Sequence, residues 1–565
     1  MTATALPRRP RAGQVAALLL GLAALLAVFG LPLDFTWLSS AAEVRAAGER
    51  FGAFVFGLAA PDLSRDMLAR CGRLLGDTVA IAVLGTAGGL LLAYPLAVAS
   101  CRSVVLADAA GSRALPRRLV LELARLALDV LRGVPDFVWA VLLANVTGMN
   151  AVTGTLAIAL SVGGILGKVL GEQWDNVAPQ RYEALRSTGA SPLQVFLYGI
   201  QPLGVRATTS FVLMRFECAV RNASVIGVVG GGGLGAAFAD EFTDGDWRGV
   251  ATVLLTLLVL TAGVDLAANV LRRRLRAEPD GSRRGRSFDL VRTQRRRRQV
   301  GFAVAAVLAA SAWWLAAPFA QAARTLAGIE WGFVRSYTLG MFAPSLSPTT
   351  WLAVVAAAGV PLAIGCLATL GGGALAALGV YPASLTFQLD AARFTGERAG
   401  RAVRSWRALQ LVVARGTALL LRGIPEVAWL FVLAVLMRDG PLPCVAAIAL
   451  HSAGVLHRVF TEATDDVAHA RLERVGAGRA ATFAYGALPA AVAQWRTYLF
   501  FQFEVNVRAG VALGVVGAGG LGQAFRHNLA FREHADAAAF LWGMVLLTIA
   551  IDRLSRRLQL RRLRC

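Results

Sequence analysis

The chain is poor in charge and almost without lysine. Charged residues make up 16% of its 565 positions, against roughly 25% in an average soluble domain. Lys168 is the only lysine, and no Gly-x-x-x-x-Gly-Lys-[Ser/Thr] stretch occurs. A Walker loop is therefore excluded as an ATP site within this chain. The six cysteines (Cys71, Cys101, Cys218, Cys366, Cys444 and Cys565) form no Cys-x-x-Cys and no metal-ligand spacing. All five histidines lie in the second half, and the spacing of His451 and His457 does not put them on one helix face as zinc ligands. No Ser/His/Asp set, His-Glu-x-x-His or paired acids stands out, which argues against a membrane-embedded enzyme. Neither a metal nor a cofactor is expected.

Apolar residues are abundant: 56% of the chain is hydrophobic, and the mean hydropathy is +0.58. Stretches long enough to cross a bilayer, about 20 residues each, recur throughout. They lie near 14–33, 74–100, 119–147, 151–172, 203–229 and 248–270, and again near 299–320, 349–379, 409–437, 443–461, 490–516 and 538–556. Arg8, Arg9 and Arg11 before the first stretch imitate a secretory signal, but no small-residue cleavage site follows and many further spans do. The expectation is an all-α integral membrane protein of about 12 spans, embedded in the lipid bilayer.

The net charge of +22 sits in clusters between apolar stretches. The basic segments are 101–118, 271–298, 380–408 and the C-terminal tail from Arg556 to Arg564. The segment after the fifth stretch is acidic, with Asp240, Glu241, Asp244 and Asp246. Excess arginine marks cytoplasmic loops, so the pattern predicts both termini inside and argues against a nucleic-acid partner.

The two sets of six are internal repeats. Leu131-Arg132-Gly133-Val134-Pro135-Asp136 matches Leu421-Arg422-Gly423-Ile424-Pro425-Glu426. Arg215-Phe216-Glu217 matches Gln502-Phe503-Glu504, and Asp265 matches Asp552. Ile226 to Gly235 matches Leu513 to Gly522. The expected domains are a first half over 1–275, a basic linker over 276–298 and a second half over 299–565. An even span count gives the halves one orientation, related by an axis along the membrane normal.

Between the fourth and fifth stretches runs Tyr182-Glu183-Ala184-Leu185-Arg186-Ser187-Thr188-Gly189-Ala190-Ser191-Pro192, ending at Pro202. It is too polar to span. Glu183 to Thr188 reads as a short helix ended by Gly189. Ser191 caps a second helix with Pro192 in its first turn, and Pro202 opens the next span. This segment resembles the Glu-Ala-Ala loop of ABC-importer permeases. Arg132-Gly133-Val134-Pro135-Asp136-x-x-Trp139, its copy through Trp429, Gly167-Lys168 and the two glycine runs resemble phosphonate-uptake permeases over nearly all of each half.

The resemblance implies two tandem six-helix MetI-like bundles, a pseudo-dimer within one chain. It implies two cytoplasmic ATPase subunits as partners, a periplasmic or surface-tethered phosphonate-binding protein, and a bacterial inner-membrane location. Coupling to the ATPase falls on loop 173–202 through Glu183, Ala184, Gly189 and Pro202. In loop 464–489 it falls on Glu473, Gly476 and Pro489, although Ala470-Arg471 replaces the Glu-Ala pair there. The expected cargo is phosphonate or a related phosphorus oxyanion; another small solute such as an amino acid or osmolyte is the alternative within the class. A secondary transporter with parallel six-span halves is the alternative outside it.

Intramembrane cations are expensive, at least about 2.5–3.5 kcal/mol on insertion scales, and usually face a cavity or a partner. Candidates for the pathway are Arg132 and Arg422, Lys168 and its counterpart Arg458, and Arg221 and Arg508, with Glu217 and Glu504. Helical spacing also permits internal pairs: Glu217 with Arg221, Glu504 with Arg508, Arg132 with Asp136 and Arg422 with Glu426. The glycines Gly227, Gly230, Gly233 and Gly235, and Gly514, Gly517, Gly520 and Gly522, lack the preceding strand of a dinucleotide loop. They read as gate-side turns or close-packing points.

Overall fold

A computed structural model describes residues 30–31, 33–35, 40–107, 114–276, 290–389, 400–438, 440–467 and 477–563. Every regular element among them is helical. The main helices are α1 (Ala41–Ala59), α2 (Arg65–Ser100), α3 (Ala114–Gly133), α4 (Asp136–Thr147), α5 (Ala151–Asp175), α6 (Gln201–Ile226), α7 (Leu234–Asp244) and α8 (Trp247–Arg276). They continue with α9 (Leu290–Trp314), α10 (Ala316–Ala327), α11 (Trp331–Phe342), α12 (Pro348–Ala383), α13 (Arg401–Gly423) and α14 (Glu426–Met437). The last four are α15 (Pro441–Asp465), α16 (Leu488–Leu513), α17 (Gly520–Ala530) and α18 (His534–Leu563).

Among the described residues seven helices are long and apolar enough to cross a membrane, or ten if each bent pair is one span. The first expected stretch, 14–33, lies almost wholly outside the described residues. The expected straight spans over 119–147 and 409–437 need correction. Each is two helices, α3 with α4 and α13 with α14, and the second pair is bent by 94°. Stretch 203–229 runs into a 56° break before α7, and α9 and α10 meet at 55°. Hydropathy averages over such breaks. In α3 the sequence also carries Arg118, Glu122, Arg125, Asp129 and Arg132 at alternating spacings of four and three. That spacing lines charge along one face while Leu119, Leu123 and Leu126 stay exposed on the other.

The chain forms two compact units, residues 52–340 and residues 1–51 with 341–565. Thus α9, α10 and most of α11, which open the second sequence repeat, belong to the unit built around the first. Within that unit Trp314 donates to Asp77 of α2 at 2.8 Å, and Tyr337 of α11 donates to the Leu142 carbonyl at 3.2 Å. Within the other unit Arg50 of α1 donates to the Val435 carbonyl.

Both units pack by close approach of small residues. In the first, Gly89 of α2 faces the Ala159 carbonyl of α5, and a Cβ there would stand 3.0 Å from that oxygen. In the second, Gly372 of α12 faces the Ala449 carbonyl of α15 at 2.8 Å by the same measure. In hydrocarbon there is no hydrophobic drive between helices, so dense contact of this kind supplies the attraction.

Candidate functional site

The segment between α5 and α6 folds as its residues dictate. A single helical turn covers Glu183–Ser187, and Gly189 ends it with φ +81°. Ser191 and Gln194 form a reciprocal capping box that starts Pro192–Val195. Glu183 and Ala184 are exposed, while Tyr182 is buried. Tyr182 packs with Trp174, Val195, Phe196 and Ile200 against Ala97 and Cys101 at the end of α2. Edge-on rings of Tyr94, Trp174 and Phe196 carry that contact into two long helices. A polar surface turn is thereby fixed to buried aromatic anchors.

Asp175 adds a second tie. Its Oδ1 accepts from the Ser103 amide at 2.9 Å and the Ser103 hydroxyl at 3.0 Å, and from the Cys101 thiol at 3.1 Å. Burial and the Asp175 charge push that thiol up to about 12. Asp465, its repeat counterpart, accepts from the Ser384 hydroxyl and from the Leu385 and Thr386 amides. Sequence reading missed both aspartates. The signal was present as an acid at the same place in each copy, the last residue of an apolar helix.

In the second copy Glu473 and Gly476 lie outside the described residues. Just beyond them Arg479, buried, donates to the Phe387 carbonyl at 3.0 Å. Phe387, Tyr381 and Phe483 form a ring cluster there. Pro202 and Pro489 each occupy the second residue of the next long helix. Directly before both, a π turn intervenes: Phe196–Ile200 and Phe483–Ala487. Gln201 donates to the Phe196 carbonyl and Leu488 to the Phe483 carbonyl, the wider pairing that such a turn makes.

The Arg-Gly-x-Pro motif is a hinge between helices. Pro135 and Pro425 are the N-caps of α4 and α14. Proline has no N–H, so the break strands carbonyls at the end of the preceding helix. Trp139 donates its indole N–H to the Leu131 carbonyl at 3.3 Å, and Trp429 to the Leu421 carbonyl at 3.2 Å. This accounts for the tryptophan four residues after each proline. Trp139→Phe is expected to lower the melting temperature of the purified chain by the loss of about 1 kcal/mol, with Trp429→Phe matching it. An unchanged melting curve in both would show that the indole bonds do not matter.

The expected charge pairs are partly rearranged. Glu504 and Arg508 do pair along α16. Glu217, however, pairs with Arg272 of α8 at 2.5 Å, and not with Arg221, the partner that helical spacing permits. A cross-helix partner wins because α8 brings a guanidinium to that level. The Arg132 guanidinium lies 3.7 Å from Asp129, and Asp136 accepts from Asn222. Glu426 sits 3.9 Å from His451, whose other ring nitrogen meets the Ile424 carbonyl at 3.2 Å. Lys168 holds Asp129 at 2.6 Å, whereas Arg458 pairs with Glu462 in its own helix. Asp129 was not anticipated, and leucine, Leu419, holds its place in the second copy.

The Lys168–Asp129 contact is largely buried. Removing one partner of such a pair costs about 3–5 kcal/mol, because the other charge stays desolvated. Asp129→Asn is therefore expected to depress the melting temperature strongly. Asp129→Leu with Lys168→Met should recover most of the loss, and a double variant no better than the single one would contradict the pairing.

The glycine runs form broken helices. Gly227–Gly231 and Gly514–Ala518 are π turns interrupted by left-handed residues, Gly230 at φ +89° and Gly517 at φ +127°. Leu234 then donates to the Thr78 hydroxyl at 2.9 Å, which pins the start of α7 to α2. Among the described residues no group of three or more potential metal ligands occurs.

The described residues thus hold two helical units, each with a proline hinge and a glycine break, and in the first copy a capped surface turn. The sequence profile of the binding-protein-dependent transport system inner membrane component matches residues 103–277 and 402–561. The chain belongs to this family. It is accordingly a multi-pass membrane permease subunit of an ABC importer, a transport component and not an enzyme. Importers of this family work with an ATPase and a substrate-binding protein. The permease is 28% identical over 493 residues to the phosphate-import permease protein PhnE of Mycolicibacterium smegmatis, covering 86% of this chain and 85% of that one. It is 32% identical over 201 residues to the phosphite transport system permease protein PtxC of Stutzerimonas stutzeri, covering 36% of this chain and 70% of the relative. A putative cryptic phosphonate transport system permease protein, PhnE2 of Escherichia coli K12, is 31% identical over 118 residues, 21% of this chain and 97% of the relative.

Proposed function

We propose that this permease carries a phosphorus oxyanion, such as phosphate, phosphite or a phosphonate, across a bacterial inner membrane. The observation that carries the reading is that similarity to a phosphate-import permease spans both halves and 86% of the chain. Cationic side chains along the spans are consistent with it, since guanidinium groups match phosphorus oxygens with paired hydrogen bonds. The two halves act as a pseudo-dimer. The exposed Glu183–Ser187 turn and its counterpart before Pro489 are the ATPase contacts, and a phosphorus-oxyanion-binding protein delivers cargo from the other side. Both termini face the cytoplasm in this reading, which the basic loops support.

The test is uptake into proteoliposomes holding the permease, its ATPase and its binding protein, with no ion gradient. ATP-dependent accumulation of inorganic phosphate, phosphite or methylphosphonate is expected, with sulfate and amino acids excluded. Accumulation of an amino acid in place of all three would sink the substrate assignment. Uptake without ATP, driven by an ion gradient, would sink the importer mechanism.

A further inference from the structure

The two copies treat one arginine differently. In the second copy Arg508 donates to Glu504, one turn back on α16, and Glu504 is buried. In the first copy Glu217 holds the same repeat position as Glu504, but Arg272 of α8 occupies it. Counting on from the matched Asp265 and Asp552, the counterpart of Arg272 is Gln559, which has no charge to offer. Arg221, the counterpart of Arg508, is left over. No ion pair with Glu217 matches that of Arg508 with Glu504; the Nε of Arg221, like that of Arg508, is buried without a hydrogen bond. The nearby acid Asp136 accepts from Asn222, the residue beside it.

A second difference points the same way. Gln502 of the second copy closes a buried network with Ser452, Asn506 and Thr369, at 2.8 to 3.1 Å. Its first-copy counterpart is Arg215, whose Nε is buried without a hydrogen bond and whose guanidinium lies over the Phe211 ring at 5.7 Å. At these matched positions the α16 charge is thus neutralised within the helix, while α6 carries Arg215 and Arg221 with no acid of its own helix beside them. Arg221 sits one turn from Glu217 toward the glycine break at Gly227. A half-buried guanidinium with no acid beside it in a membrane span leaves N–H donors that an anion can meet.

We infer that the permease binds its anionic cargo asymmetrically, at Arg221 of the first copy and not at Arg508, with Arg272 as the positioning residue that keeps Glu217 away from Arg221. The inference rests on the anionic cargo proposed above. Arg221 supplies two N–H donors to the cargo oxygens when it reaches the α6 level. Glu217, held by Arg272, does not compete. Arg508 remains a structural ion pair.

The test uses the full permease with its ATPase and binding protein in proteoliposomes, and inorganic phosphate, phosphite and methylphosphonate as probes. Arg221→Gln is expected to cut uptake at least about ten-fold, as loss of a charged hydrogen bond would. Arg272→Gln is expected to cut it similarly, because the freed Glu217 turns to Arg221. Glu217→Gln with Arg272→Gln is expected to restore most of the uptake, which a merely structural role for Arg272 does not predict. Melting temperatures give a readout independent of cargo: Arg508→Gln should lower it by several degrees, and Arg221→Gln should not.

Normal uptake by Arg221→Gln, or equal uptake by the Arg272→Gln single and double variants, overturns the inference. So does a fall in melting temperature for Arg221→Gln equal to that for Arg508→Gln. If the wild type carries a different anion, the phosphorus assignment fails while the same variants still decide the role of Arg221. If it carries a neutral or cationic solute, both fail.

Discussion

Replacing Gly235 with alanine is expected to prevent accumulation of the folded permease. A Cβ at that position would stand 1.8 Å from the Ser224 carbonyl oxygen and 2.8 Å from its carbon, both backbone atoms that cannot swing aside. Overpacking typically costs about 1–3 kcal/mol when side chains can shift, and a clash with fixed backbone at this distance exceeds that range. Gly522→Ala repeats the conflict at 2.2 Å from the Val511 carbonyl oxygen. Gly263 of α8 is the control: a Cβ there meets nothing within 4 Å. Gly263→Ala should fold normally or gain a fraction of a kcal/mol from better helix propensity. Size-exclusion profiles of detergent-extracted protein would report the difference. A monodisperse Gly235→Ala permease with a wild-type melting temperature would mean that the glycine break relaxes freely.

Altering the surface turn is expected to do the opposite, leaving the fold and removing the work. Glu183 is exposed, and the space around Gly189 is open, so that a Cβ added there would meet nothing within 4 Å. Gly189→Val therefore carries only the backbone penalty of a left-handed residue, roughly 1–2 kcal/mol. Yet it reshapes the turn proposed to meet the ATPase. Uptake per ATP hydrolysed should fall at least about ten-fold in Gly189→Val and in Glu183→Lys, within the range of ordinary coupling free energies. Membrane insertion and yield should be preserved. Wild-type stoichiometry in either variant would remove the coupling role from this turn.

Much of this was legible in the residues. Span lengths, the duplication and the surface turn with its Gly189 and Ser191 signals all follow from local chemistry that a single segment carries. The hinge at Pro135 was less legible: the proline was visible, but apolar residues on both sides made 119–147 look continuous. The charged stripe on α3 was hidden by the same averaging. Charge partners were the least legible. Helical spacing offered Arg221 to Glu217, and only tertiary packing brought Arg272 to it. Asp129 could not be paired with Lys168 from sequence, since 39 positions and a helix hinge separate them. Local rules name which groups can pair within a helix; which helix lies alongside is decided by the whole bundle.

The π turns ahead of Pro202 and Pro489 have a consequence for orientation. Such a turn holds one more residue than the α-helical loop it replaces. One residue corresponds to about 100° of rotation about the helix axis. Everything from Pro202 to the glycine break, Arg215, Glu217 and Arg221 included, therefore points where it does because of one surplus residue in Phe196–Ile200. Shortening that turn by a single amino acid would swing a whole row of guanidinium and carboxylate groups round the axis, although not one of them had been changed.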